Sequence, residues 1–201
     1  APNFEGHAWH LVKARSLDQI AQKFGRTQED VQRCLVSARE KLFAARAQRV
    51  RPATDDKILV AWNALTIAGL ARAARDLSNP QWCAIADRAL SALREHAWID
   101  SALYANVMSG ANAHIPAFLD DHAFLLDALL ELLQQRWSDD DLTWSVSLAD
   151  AMLEKFEDKQ NGGFFFSAAE HATPLQSPKG FMDEALPGGN GVATLALLRL
   201  G

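Results

Sequence analysis

The chain carries only two cysteines, Cys34 and Cys83, one tyrosine and three methionines in 201 residues. Two widely separated thiols with no CxxC exclude a disulfide framework and a cysteine-ligated zinc. They are expected to be reduced, buried core thiols of a cytosolic protein. Basic charge is also short: 20 Lys and Arg stand against 25 Asp and Glu, with a net charge of -5. That argues against a nucleic-acid partner, whose phosphates need a basic face. Long apolar runs are missing. The longest, Ile58–Ala71, contains Asn63 and falls short of the roughly 20 residues of a membrane span, so no membrane partner is expected. The opening residues do not read as a secretory leader, and a cytoplasmic location is expected. The chain opens at Ala1 without Met and stops just after the apolar run VATLALLRL, which suggests a truncated piece of something longer.

What is present is ordinary for a globular chain: 49% hydrophobic and 22% charged residues. Residues 1–201 are expected to form a single domain, with leading helices over 1–50 and helical-hairpin repeats over 51–201. Helix signals dominate. Ser16 and Thr27 are candidate N-caps, Gly25 is a C-terminal stop, and Val31, Leu35, Ala38 and Leu42 recur at helical spacing. Further helices are predicted at about 56–77, 80–97, 118–137, 140–156 and 189–200. SALYANV and GGFFFS, in the two long connections, suit short strands or hairpins.

A repeat organises this pattern. Asp56 to Asp120 is a step of 64 residues, and Asp120 to Asp183 one of 63. Each of these aspartates precedes a second polar residue by seven positions: Asn63, Asp127 and Asn190. Each unit reads as an apolar helix, an amphipathic helix and a long loop. A helix apolar on most sides is buried and one with a polar face lies outside it. An inner and an outer ring of helices make an incomplete α/α toroid, all-α with short β-hairpins in its long loops. The inner helices should be parallel, with their N-termini and the long loops at one end. Residues seven apart share a helix face, so Asp56 with Asn63, and Asp120 with Asp127 and Glu131, are expected to line a central cavity. Pro187-Gly188-Gly189 puts Asp183 in a loop and loosens the third pair. Capping by the first-turn aspartates is the competing role, and Asp55 is expected to cap its helix.

The stretch RPATDDKILVAWNAL, Arg51 to Leu65, resembles the R-x-x-x-D-D-K-x-L-x-x-W-N-x-L region of the YyaL-type family, whose animal member is a spermatogenesis-associated protein. LDDHAFLLDALLELLQ, NGGFFFS, DEALPGGNGVATLALLRL and the early NFEG resemble the family's later helices, loop and start. His122 stands where the family often has Tyr, and Ala64 where Gly is common. The resemblance implies a toroid of the six-hairpin glycosidase type, similar to N-acylglucosamine 2-epimerases, normally preceded by a thioredoxin-like domain to which none of residues 1–201 is expected to correspond.

Site expectations follow from these patterns. Glycoside hydrolysis needs two carboxyl groups, and epimerases of this fold use histidine as acid or base. Candidate catalytic residues are therefore Asp56, Asp120, Asp121, His122 and Asp183. Candidate ligand-binding residues are Arg51, Asp55, Lys57, Trp62, Asn63, Asp127 and Asn190. Trp62 suits a sugar platform or the core; Arg51 and Lys57 suit neutralisation of the acids. His7-x-x-His10 has no third ligand, so no metal is expected, and LPGGNG lacks the Lys and the preceding strand of a phosphate loop. No cofactor is expected. LDQIAQKFGRTQEDVQRCL has the form of a helix-turn-helix, but the acidic first turn of its second helix would face phosphates poorly. The function expected is action on, or binding of, a sugar or sugar derivative. The alternative is a non-catalytic sugar-binding or interaction module serving a thioredoxin-like domain. Exposed apolar faces of an open ring are expected to favour self-association.

Overall fold

The computed structural model describes residues 2, 5–7, 12, 14–108, 115–171 and 178–201, with the His171 side chain excepted. Expectations resting on Asn3, Phe4, His10 and His114 lie outside the described residues. The chain forms two compact units, residues 1–54 and 55–201.

The first unit holds two helices that start where their caps predict. α1 (Leu17–Phe24) opens on a capping box: Ser16 Oγ accepts from Gln19 N–H, and Gln19 Oε1 accepts from Ser16 N–H. It ends at Gly25, whose φ of 60° is the left-handed conformation glycine tolerates best. α2 (Gln28–Ala47) is capped by Thr27. Of the expected apolar stripe only Val31 is buried; Leu35, Ala38 and Leu42 are exposed. Cys34 is likewise exposed rather than a core thiol, and Cys83 is half-buried; both are free.

The second unit contains β1 (Ile58–Leu59), α3 (Val60–Asp76), α4 (Pro80–Ala97), β2 (Trp98–Ile99), β3 (Ala102–Leu103), β4 (Asn106–Val107), α5 (Leu119–Leu133), α6 (Asp139–Lys155) and α7 (Gly189–Leu200). Asn79 caps α4, with Pro80 in its first turn, and Ser138 caps α6 ahead of three aspartates that suit the positive end of the helix dipole. β2 and β3 form a hairpin whose turn residues, Asp100 and Ser101, both have positive φ, as a two-residue turn of the favoured twist requires. SALYANV thus supplies strand residues, whereas GGFFFS contributes only the bridge of Phe164 to Glu157.

One expectation is overturned at the start of α3. Ile58 and Leu59 pair antiparallel with Val107 and Asn106, so the helix starts at Val60, not at residue 56. Asp56 precedes both elements and is exposed. Asp56 and Asn63 therefore do not share a helix face. Asp55 does not cap α3 either: its Oδ1 accepts from Lys57 N–H, in a local turn.

The α5 helix is the hub. From Leu119 to Leu132 nearly every side chain is buried, because α3 and α7 flank it while α4 and α6 also pack against it. Phe124, Leu125, Leu126, Leu129 and Leu132 meet Ile67, Leu148, Met152 and Phe156 in one core. The inner helices are parallel. Asp121 meets Ala61, Asp127 meets Arg72 and Glu131 meets Arg75, so contacts climb α5 and α3 in the same direction. Asp120 lies against Gly189 and Asp127 meets Arg199, which sets α7 the same way. The inner N-termini thus converge at one end, with α4 and α6 as the outer partners.

Candidate functional site

Three consecutive residues at the start of α5 point to three different helices, as the 100° step of an α-helix dictates. Asp120 turns toward α7, so closely that a Cβ at Gly189 would overlap its carboxylate. Glycine at this position is what lets the carboxylate seat there. Asp120 is half-buried and takes no hydrogen bond or ion pair from any described residue. Loss of solvent raises its pKa above the ordinary carboxylate value.

Asp121 turns toward α3. Its Oδ1 accepts from Ala61 N–H (3.1 Å) and its Oδ2 from Phe118 N–H (2.9 Å). One buried carboxylate thus satisfies orphan donors at the starts of both α3 and α5, ties the two together, and interacts favourably with both dipoles. Burial outweighs these bonds and pushes its pKa up to about 6.

His122 turns toward α6. Its Nδ1–H donates to Phe118 O (3.0 Å), and its ring meets Phe156 edge-on, with centroids 5.1 Å apart. Burial, with help from the nearby Lys155 ammonium, lowers its pKa to about 4, so the ring is neutral near pH 7.

The linkages of these two neighbours oppose each other. Asp121 binds its proton more tightly in the folded state, so its contribution is present below about pH 4 and is lost as pH rises through about 6. His122 binds its proton less tightly when folded, so its contribution is present above about pH 6.5 and is lost as pH falls toward about 4. Urea denaturation of the unmodified chain between pH 4 and 6.5 is expected to show a shallow profile. Asp121→Asn should make stability fall with falling pH, and His122→Asn should make it rise, each on the order of 2 kcal/mol across the window. Equal slopes in the two variants would refute the assignment.

The other expected site residues are dispersed or already engaged. Trp62, on the first turn of α3, is 59% exposed and not core. Asn63 Nδ2 donates back to Leu59 O (2.8 Å). Lys57 pairs with Asp55 (3.2 Å), both solvent-exposed. Arg51 is exposed and lies in the first unit. Asp183 Oδ1 accepts from Gly188 N–H (2.7 Å) and so staples the turn that enters α7; it shares no helix face with Asn190. The Asn190 amide is fully used: Oδ1 accepts from Phe164 N–H (2.7 Å), and Nδ2 donates to Phe164 O (2.9 Å) and Gly180 O (3.0 Å).

Asp127 does lie below Asp120 on α5, but its oxygens are held by Arg72 of α3 and Arg199 of α7, both at 2.6 Å. Glu131, one turn on, bonds Arg75 (3.1 Å) and Arg199 (2.8 Å). This lattice of three arginines on two carboxylates went unread in the sequence, although Arg72, Arg75 and Arg199 are conspicuous on otherwise apolar helices. A second anchor is Lys179, whose ammonium donates to Asp158 and to Gly162 O (2.8 Å) and lies over the Phe165 ring. The ammonium and three local donors hold the Asp158 pKa well below the carboxylate range. Together with Asn190, Lys179 pins the loop that leads into α7. No group of three or more metal-ligating side chains occurs among the described residues, and no helix among them is long and apolar enough to cross a membrane.

Parallel buried helices, outer partners and long loops at one end define an α/α toroid of the six-hairpin glycosidase-like class. The fold of a cellobiose 2-epimerase from Spirochaeta thermophila matches 72% of this chain and 37% of that one, at a TM-score of 0.52 and 18% identity. A GH76 alpha-mannanase from Bacteroides thetaiotaomicron matches 74% of this chain and 46% of that one, at 0.51 and 15%. At these identities the likeness is one of fold. No family model matches the chain. In sequence it is 32% identical to mouse spermatogenesis-associated protein 20 over 210 residues, which is 99% of this chain, and 33% identical to the human protein over 201 residues. The chain belongs to this YyaL-like family, as the Asp-Asp-Lys and Trp-Asn motifs indicated. It spans about a quarter of the length of these relatives, 27% of the mouse protein and 25% of the human one.

Proposed function

We propose that this region forms part of the ligand-binding end of a carbohydrate-directed toroid, with Asp120 as its proton-transfer group. The observation that carries this reading is the state of Asp120. It is half-buried, desolvated and uncommitted at the point where inner N-termini meet. A carboxyl whose pKa is raised toward working pH is suited to general acid–base chemistry, the step common to epimerisation, isomerisation and glycoside hydrolysis. Asp121 braces the helix starts and serves Asp120 by position. Trp62, exposed on the first turn of α3, is the aromatic face for a sugar ring. The carbohydrate enzymes with the same fold support the substrate class.

The test is a panel of mono- and oligosaccharides against a protein of the relatives' full length that carries this region, with Asp120→Asn beside it. Turnover of one sugar is expected, falling at least about 100-fold in the variant while affinity stays within a few-fold. Binding without turnover in the unmodified protein would instead favour a sugar-binding module. Absence of any sugar binding sinks the proposal.

A further inference from the structure

His122 looks away from Asp120 into a cavity of its own. The cavity measures about 150 Å³ and is lined by Ala102, Tyr104, Pro116, His122, Lys155 and Glu170, among others. At about 30 Å³ per water it has room for about five waters or one small organic molecule. Two of its polar groups are uncommitted. The Lys155 ammonium forms no ion pair or hydrogen bond with a described residue, and it lies near enough to His122 to act on its charge. His122 is 2% exposed, and a carbonyl can only accept, so its Nδ1 must be the protonated nitrogen toward Phe118 O. Nε2 is then a lone-pair acceptor on a residue that lines the cavity. Tyr104 and Glu170 already have partners within the chain.

A half-exposed cation and a buried neutral acceptor on one cavity, with apolar walls of alanine, leucine and proline, select a ligand with complementary features: a small anionic group and an adjacent hydroxyl. A hydroxyl can donate to Nε2, whereas a bare carboxylate cannot. The carboxylate would pair with the Lys155 ammonium in a charge-assisted hydrogen bond. We propose that this cavity is a binding site for a small hydroxycarboxylic acid, distinct from the Asp120 end of the toroid. Its carboxylate pairs with Lys155, and its hydroxyl donates to His122 Nε2. The proposal stands independently of carbohydrate action at Asp120.

The experiment uses the 201-residue chain, with glycerate as the probe, propionate as the acid without a hydroxyl and glycerol as the polyol without a charge. Binding is followed by calorimetry and by the NMR signals of the His122 ring. Glycerate is expected to bind and to shift His122 Nε2, with propionate and glycerol each at least tenfold weaker. Lys155→Met, a partly exposed position, should weaken glycerate at least tenfold and leave the fold intact. His122→Asn, which keeps a donor for Phe118 O but removes Nε2, should abolish the preference for glycerate over propionate. Glycerate that leaves His122 unmoved, that binds no better than propionate, or that binds the Lys155→Met chain equally well overturns the proposal. Asp120→Asn should leave glycerate binding unchanged; its loss there would also overturn the independence of the site.

Discussion

Replacing Asp127 by alanine is expected to cost about 3 kcal/mol of stability, at the lower end of the roughly 3–5 kcal/mol typical of a broken buried ion pair. Asp127 is the residue that both neighbouring inner helices reach. Arg72 takes one oxygen and Arg199 the other. Its side chain is 11% exposed, against 46% for Arg72 and 24% for Arg199. Removal of the carboxylate leaves two guanidinium groups facing a buried gap with Glu131 as their remaining anion. Because both arginines retain some contact with water, part of the penalty is relieved by rehydration, which sets the estimate at the lower end. The loss should appear as a fall in the urea midpoint with little change in slope. Glu154→Ala, on the exposed face of α6, should change stability by no more than about 0.5 kcal/mol. A loss below about 1 kcal/mol for Asp127→Ala would mean that the arginines do not bind the inner helices together.

Asn190→Ala should rank close behind, with a loss of about 3 kcal/mol. The Asn190 side chain is buried and makes three hydrogen bonds to the backbone of the loop that precedes its helix, two to Phe164 and one to Gly180. Alanine leaves Phe164 N–H, Phe164 O and Gly180 O without their partner. An unsatisfied buried polar group costs roughly 1–3 kcal/mol, and partial access to water reduces the sum. Asn190→Asp is a sharper test of the same idea. It keeps the acceptor for Phe164 N–H but replaces the donor with a charge that faces two carbonyls, so it should be at least as damaging as alanine. A variant within about 0.5 kcal/mol of the unmodified chain would show that Lys179 alone holds the loop. Since this loop leads into Gly189, against which Asp120 rests, Asn190 supports the proposed site without touching a ligand.

Most of the helical framework was readable from residues along the chain. Ser16, Gly25 and Thr27 bound α1 and mark the start of α2, because capping depends on groups within three or four positions of one another. The repeat of about 63 residues and the contrast between apolar and amphipathic helices identified the inner and outer layers, because a helix buried on all sides has no room for a polar face. α5, buried almost throughout, is the clearest instance.

Where local pattern and distant pairing compete, the sequence is silent. Leu59 reads as the first turns of a helix, yet it sits in a two-residue strand because Asn106 and Val107 come alongside. That register is set by residues nearly fifty positions away. The stripe of Asp120, Asp127 and Glu131 was visible as a stripe, but a carboxylate at one position ends up free and at the next two clamped by arginine. The arginines come from α3 and α7, and which helices stand beside α5 is a property of the assembled layers. Likewise Asp121 and His122 look alike in sequence as polar residues at a helix start. The 100° rotation between successive residues sends one to the N-terminus of α3 and the other against Phe156. By itself, the sequence determined most of the helical segments and marked α5 as the buried one, since a helix apolar on nearly all sides has no solvent face, whereas the apolar stripe of α2 stays exposed. Only the tertiary structure decided which polar groups meet, and therefore that Asp120 stays uncommitted, because hydrogen bonds and ion pairs depend on distances that arise once the helices have packed.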